Sequence, residues 1–141
     1  MAWILILIIV LDQAARHLID AMLIPGMQIP IFPFFSITYV QNPGAAFGIF
    51  AGKRLAFILI GIVITMAFLV AYRWLSGKCK KYRYGTALLA SGAVGNMIDR
   101  IQYGYVIDFF DLHIWPVFNI ADIAIVAGAF IAMYAVIRSN D

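Results

Sequence analysis

The chain has 141 residues, of which 65% are hydrophobic and 12% are charged, and its formal net charge is +3. This length allows one domain, over residues 1–141, and the composition leaves too little polar surface for a soluble domain of that size. The small excess of basic residues argues against a nucleic-acid partner. An integral membrane protein is the class that remains.

Four apolar segments follow one another along the chain, at about residues 2–23, 55–72, 84–98 and 117–137. A helix that spans a bilayer needs about 20 mostly apolar residues. The first segment lacks the basic start and the cleavage-site residues of a secretion signal, so we interpret it as a retained helix. The third is short and rich in small residues, which permit close helix packing in lipid. We predict an all-α membrane protein with four transmembrane helices.

A long connector, about Ile24 to Gly52, separates the first two helices. Its prolines and glycines break helices, whereas the β-branched and aromatic stretch from Phe34 to Val40 predicts a short strand. We therefore expect a small extracytoplasmic connector that contains β-structure. Its sequence NPGAAFG, from Asn42 to Gly48, fits either a simple turn or a loop that presents Asn42 and backbone groups to an extended ligand.

Basic residues in short loops predict the orientation in the membrane. The loop between the second and third helices carries most of them: Arg73, Lys78, Lys80, Lys81 and Arg83. We expect this loop and both termini on the cytoplasmic side, although Lys53 and Arg54 weakly oppose that assignment. Cys79 lies in the same loop, and a single cysteine excludes an internal disulfide, so we expect an inert thiol.

Polar residues from several segments converge towards the outer face in this topology. Polar groups inside a bilayer usually face the bundle interior and mark function. Helical spacing places Asp12 with Arg16, and Asn96 with Asp99 and Arg100, on shared helix faces. For these residues, a role in joining helices or positioning other groups is favoured over chemistry, and Asp99 could pair with Arg100 or with another neighbour.

Asp108 and Asp122 differ because neither has a cation at helical spacing. Two carboxylates held close together share a proton, so one can activate water while the other protonates a leaving group. The spacing of these two residues also fits simple polar contacts between helices. On spacing alone, such contacts are favoured over a catalytic pair. A metal site with Asp111 and His113 would lack a second nearby histidine, so a solvated loop explains those two residues better.

Five motifs occur in order along the chain. They are Asp12-Gln13 with a basic residue at position 16, NPGAAFG from Asn42, GNMIDR from Gly95, VIDFFD from Val106 and FNIAD from Phe118. In this order, and on a four-helix hydropathy pattern, the chain resembles bacterial lipoprotein signal peptidase, also called signal peptidase II. The family usually has Lys where this chain has Arg16, and an ammonium differs from a planar guanidinium.

The resemblance implies an aspartic endopeptidase of the bacterial cytoplasmic membrane, with its active site near the outer face. Such an enzyme removes the signal peptide from diacylglyceryl-modified prolipoproteins by cleaving before the lipidated cysteine. The implied partners are this substrate and membrane lipid, for a monomer that needs no metal or other cofactor. The matching catalytic residues are Asp108 and Asp122. The matching substrate-binding or site-supporting residues are Asp12, Arg16, Asn42, Gly44, Asn96, Asp99, Arg100 and Asn119.

Two other classes also explain acids in a membrane protein. A small proton-coupled transporter would use intramembrane carboxylates, but carriers tend to bind substrate at mid-membrane and the chain shows no internal repeat. A non-enzymatic scaffold would leave the converging polar residues unexplained.

Overall fold

The computed structural model describes residues 2–44, 53–75 and 80–138. Within these ranges the chain forms four helices, α1 (Ala2–Met22), α2 (Arg54–Leu75), α3 (Lys80–Gln102) and α4 (Ile120–Arg138). The same ranges contain three strands, β1 (Gln28–Phe32), β2 (Phe35–Asn42) and β3 (Val106–Asp111). Cys79 and the second half of the NPGAAFG motif lie outside the described residues.

The four helices confirm the predicted order of elements, and β2 confirms the predicted strand. The mostly helical class with a β-containing connector is confirmed, and the strands form one antiparallel sheet in the order β1-β2-β3. Its third strand comes from the segment before α4, which the sequence analysis treated as a loop. Val40 pairs with Asp108, and Asn42 pairs with Val106. The sheet therefore brings the connector against the segment that carries Asp108.

The third helix is longer than predicted and lies against α1, α2 and α4. Its small residues permit the expected close packing. A Cβ atom added at Gly92 would lie 2.3 Å from the carbonyl oxygen of Ala121, and one added at Gly85 would lie 2.6 Å from the backbone nitrogen of Ala132. Real side chains do not approach backbone atoms so closely, so these glycines set the distance between α3 and α4.

Large apolar side chains face outwards on α1 and α2, whereas the buried residues of α1 are Asp12 and Arg16. A polar interior with an apolar exterior suits a bundle whose surroundings are lipid. In the described part of the chain, α1 and residues Arg54–Ala71 of α2 are long and apolar enough to cross a membrane. The apolar part of α4, Ile120–Ala135, is shorter.

The sheet attaches to one end of the bundle through an apolar cluster. Leu23, which follows α1, packs with Tyr39 of β2 and with Ile107 and Phe109 of β3. Alternation along β3 explains why an acid sits between these residues: Ile107 and Phe109 point to one face of the strand and Asp108 points to the other. The apolar cluster thereby fixes the direction of the Asp108 side chain.

Candidate active site

Asp108 of β3 and Asp122 of α4 line one cavity of about 330 Å³. Both carboxylates therefore face the same space, from a strand and from the first turn of a helix. The cavity has a polar side and an apolar side. Its other lining residues are Asn42, Gly44, Asn96, Arg100, Val106, Trp115, Pro116, Val117, Phe118 and Val126.

Asn119 caps α4 and thereby places Asp122. Its Oδ1 accepts a hydrogen bond from the backbone N–H of Asp122 at 2.9 Å, and its own N–H donates to Asp122 Oδ2 at 3.3 Å. Asparagine is a favoured N-cap residue, and this reciprocal pair is a capping box with aspartate at the third helical position. The spacing of Asn119 and Asp122 therefore has a structural cause, because the cap fixes the carboxylate at the helix start.

Two side-chain amides hold Asp108. Asn119 Nδ2 donates to its Oδ1 at 2.6 Å, and Asn42 Nδ2 donates to its Oδ2 at 3.0 Å. The pKa of Asp108 is raised to about 7, first by burial and then by the nearby charge of Asp122, against the lowering effect of the two amides. Asp108 therefore keeps a proton over much of the range in which an ordinary aspartate is ionised.

Asp122 receives its own amide donor from α3. Asn96 Nδ2 donates to Asp122 Oδ1 at 2.8 Å, while Asn96 Oδ1 accepts from Arg16 at 2.8 Å. The guanidinium thus fixes which way the amide points, and the amide presents its N–H to the carboxylate. This chain of contacts fixes the position of the Asp122 carboxylate.

Asp12, Arg16 and Asp99 form a buried ion cluster behind the cavity. Arg16 Nε lies 2.8 Å from Asp12, and Arg16 Nη1 lies 2.5 Å from Asp99. The pairing of Asp12 with Arg16 was predicted. Asp99 pairs with Arg16 of another helix rather than with Arg100, since consecutive residues on a helix point in different directions.

The ion cluster also holds the two segments that carry the candidate carboxylates. Asp99 accepts a hydrogen bond from the N–H of Ile107 at 2.9 Å, next to Asp108. Asp12 accepts one from the N–H of Ala121 at 2.9 Å, next to Asp122. All three members of the cluster are buried, with at most 1% of each residue exposed. Their contacts therefore fit positioning groups and not groups that reach the cavity.

Arg100 lines the cavity and binds the connector. Its Nη2 donates to the carbonyl of Gly44 at 3.0 Å, and its guanidinium lies 4.7 Å from the centre of the Phe57 ring. The N–H of Gly44 in turn donates to Asn42 Oδ1 at 3.0 Å. The turn predicted at Asn42 is therefore present, and it orients the Asn42 amide towards Asp108.

Two groups of contacts near the site were missed by the sequence analysis. Gln13 donates to Asp99 Oδ1 at 3.0 Å, so it belongs beside the ion cluster. Asp111 and His113 hydrogen-bond to each other and to strand β2, and they do not line the cavity. The described residues contain no group of three or more potential metal ligands. The position of Gln13 in the first motif, next to Asp12, is the one sequence feature that could have predicted its contact with the ion cluster.

Two carboxylates in one cavity of an apolar helical bundle are typical of a membrane hydrolase that uses acid–base catalysis. A sequence profile described as signal peptidase (SPase) II matches residues 4–138. The chain is 40% identical to a lipoprotein signal peptidase of Pelotomaculum thermopropionicum over 98% of its length and 91% of the relative's. It is 44% identical to one of Moorella thermoacetica over 89% of its length and 85% of the relative's.

Two solved structures share the fold, and each is titled a bacterial membrane enzyme. The first has a TM-score of 0.90 at 31% identity and covers 99% of this chain and 88% of that one. The second has a TM-score of 0.82 at 32% identity and covers 96% of this chain and 90% of that one. The chain belongs to the signal peptidase II family.

Proposed function

We propose that Asp108 and Asp122 are the catalytic pair with which this protein removes signal peptides from lipoproteins. The protein is a lipoprotein-processing peptidase of the signal peptidase II family. The observation that carries the assignment of the pair is that both carboxylates line one cavity and that Asn119 touches both residues. The scissile bond is the one before the diacylglyceryl-modified cysteine of the substrate.

The two carboxylates have different environments and therefore different roles. Asp122, which accepts from Asn96 and from the capping N–H of Asn119, takes a proton from the attacking water. Asp108 is the protonated member, because burial and the charge of Asp122 raise its pKa to about 7. It donates its proton towards the scissile carbonyl oxygen as the tetrahedral intermediate forms.

Collapse of the intermediate needs a proton on the leaving amine. Asp122, now protonated, supplies it, and the hydroxyl of the intermediate returns its proton to Asp108. The C–N bond breaks as the signal peptide leaves with the new carboxyl group, and the lipidated cysteine becomes the new amino terminus. Each carboxyl group ends in its starting state.

The remaining predicted site residues support this pair. Asn42 and Asn119 orient Asp108, Asn96 orients Asp122, and Arg100 with Gly44 holds the turn that contains Asn42. Asp12, Arg16 and Asp99 join α1, α3, β3 and α4 behind the cavity. None of these roles requires a metal or an organic cofactor.

The proposed topology has four membrane-spanning helices, with both termini in the cytoplasm and the cavity near the outer face. The substrate's lipid anchors its cysteine at that interface, so a carboxylate pair at the same depth meets the scissile bond where water is available. The basic residues at the end of α2, at the start of α3 and between them support this orientation. Labelling of Cys79 by a membrane-impermeant maleimide only after the cells are permeabilised would support it, and labelling in intact cells would contradict it.

The decisive experiment is cleavage of a diacylglyceryl-modified prolipoprotein by purified protein in detergent. Wild type is compared with Asp108→Asn, Asp122→Asn and the control Asp20→Asn. The control makes the same change at an exposed aspartate outside the cavity, and asparagine keeps an oxygen that can accept from the Tyr39 hydroxyl. We expect cleavage by wild type and the control alone, with equal thermal stability of all four proteins. Full activity of Asp108→Asn would refute the catalytic pair, and an inactive wild type under several lipid conditions would direct attention to proton-coupled transport.

A further inference from the structure

A short loop, residues 112–117, leads from β3 to α4 and forms one wall of the cavity. Backbone bonds between Phe110 and Phe118 close its base, with N–H···O distances of 2.8 and 3.0 Å. Trp115, Pro116 and Val117 line the cavity that contains Asp108 and Asp122. The position of this loop therefore decides the shape of the space that receives the substrate.

His113 gives the loop an unusual backbone. Its φ angle is +64°, a left-handed conformation that residues other than glycine rarely adopt. The N–H of His113 donates to Asp111 Oδ1 at 2.8 Å, and Asp111 Oδ2 accepts from the hydroxyl of Thr38 at 3.0 Å. A rare conformation of this kind persists only where surrounding contacts impose it.

The imidazole of His113 contacts the sheet. Its Nε2 lies 2.8 Å from Ser36 Oγ on β2, and Gln28 Nε2 on β1 lies 3.3 Å from the same nitrogen. Ser36 is fully buried, and a buried hydroxyl requires a hydrogen-bond partner. The shorter of these contacts ties the cavity loop to β2, because Ser36 is 77 residues away in sequence.

We propose that the Ser36–His113 hydrogen bond positions the cavity loop for catalysis, so that His113 is a positioning residue of the peptidase. The proposal rests on the proposed function, because it treats the cavity as the substrate site. A wall that is fixed before binding spares the substrate the entropic cost of ordering it. The ring itself lies outside the cavity, so its influence passes through Trp115, Pro116 and Val117.

A double-mutant cycle in steady-state cleavage tests this coupling. We expect Ser36→Ala and His113→Ala each to raise KM about fivefold, the net value of one hydrogen bond, with kcat within about twofold of wild type. The double variant should match His113→Ala, because that change already removes the imidazole that Ser36 contacts. Unchanged KM values, or effects that add in the double variant, would overturn the proposal.

His113→Asn controls for the backbone, because asparagine tolerates the left-handed conformation but is too short to reach Ser36. It should behave as His113→Ala does. If His113→Ala does not fold, then Ser36→Ala and His113→Asn complete the cycle in its place. Wild-type KM in His113→Asn would also overturn the proposal.

Trp115 fluorescence gives a readout that does not depend on cleavage. With Trp3 and Trp74 replaced by Phe, we expect Ser36→Ala and His113→Ala to increase acrylamide quenching of Trp115 and to lower its anisotropy. Changed fluorescence in a protein that cleaves nothing would refute the proposed function and leave the link between Ser36 and the loop intact. Unchanged fluorescence, or changed fluorescence with an unchanged KM, would refute the positioning role.

Discussion

Asn119 holds Asp108 through a hydrogen bond of 2.6 Å between Nδ2 and Oδ1. The other atom of the same amide, Oδ1, accepts from the N–H of Asp122 and so caps α4. One side chain thus performs two tasks, orienting one carboxylate and starting the helix that carries the other. The two tasks use different atoms, so substitutions can separate them.

Asn119→Ser should preserve the cap and lose the contact with Asp108, whereas Asn119→Ala should lose both. Because serine caps helices about as well as asparagine, only the alanine variant should be destabilised, by about 1 kcal/mol. Both variants should lose about tenfold to a hundredfold in kcat, the range expected for a hydrogen bond to an ionisable group. Thermal unfolding and cleavage rates measure the two effects, and a serine variant with full activity would disprove the orienting role.

The pH dependence of cleavage should report the proton on Asp108. The proposed mechanism needs Asp108 in its protonated form, and the pKa of Asp108 is raised to about 7. As the pH rises through this value Asp108 loses its proton, so kcat/KM should fall about tenfold per pH unit above it. This alkaline limb of the pH profile, the fall of kcat/KM, reports the coupled pair of carboxyl groups and not one residue alone.

Replacement of Asn42 tests whether Asp108 causes the alkaline limb. It donates to Asp108 and so favours the ionised form, which lowers the pKa. Asn42→Ala should therefore move the alkaline limb to higher pH, even though it reduces the rate. A limb that stays in place, or moves to lower pH, would show that another group causes it.

Local spacing in the sequence was sufficient to predict one ion pair of the site. Asp12 and Arg16 lie one helical turn apart and form the predicted ion pair. Asn119 and Asp122, three residues apart at a helix start, form a reciprocal cap that was not predicted but also depends on local spacing. In both cases a single helix fixes the geometry, so no tertiary information was needed.

The contacts that were missed join distant segments. Strand β3 resembles a loop in sequence because acids occupy its third and last positions, and its strand character depends on pairing with β2. Arg16 bridges to Asp99 across 83 residues, and the bond between Ser36 and His113 crosses 77. Such partners are selected by the packing of helices and sheet, which one sequence does not reveal.

Arg16 should tolerate lysine but not an uncharged residue. Its guanidinium contacts Asp12, Asp99 and Asn96, and an ammonium with three donors can satisfy part of this set. Arg16→Met leaves two buried carboxylates without a counter-charge, which typically costs about 3–5 kcal/mol. Unfolding in detergent should show a large loss for Arg16→Met and a small one for Arg16→Lys, and equal losses would mean that the charge is unimportant.

Gly92 of α3 and Gly61 of α2 provide a matched test of the contact between α3 and α4, because Gly92 lies against α4 and Gly61 lies against α3. At Gly92 a Cβ would lie 2.3 Å from the carbonyl oxygen of Ala121, beside Asp122, whereas at Gly61 the closest contact would be an ordinary 3.8 Å to Met97. Gly92→Ala should therefore force the helices apart at a cost of about 1–3 kcal/mol and displace the start of α4. Gly61→Ala should be neutral or stabilising by up to about 1 kcal/mol, since alanine favours helix.

Thermal unfolding and cleavage of the lipidated substrate, measured together on the two variants, distinguish a loss of packing from a general effect of adding a methyl group. The expected pattern is a lower melting temperature and a lower kcat for Gly92→Ala alone. Because the clash is with backbone, no rotation of a side chain can relieve it, and only movement of α4 can. If Gly92→Ala kept the stability and activity of Gly61→Ala, the two helices would not be held at the distance that brings Asn96 to Asp122.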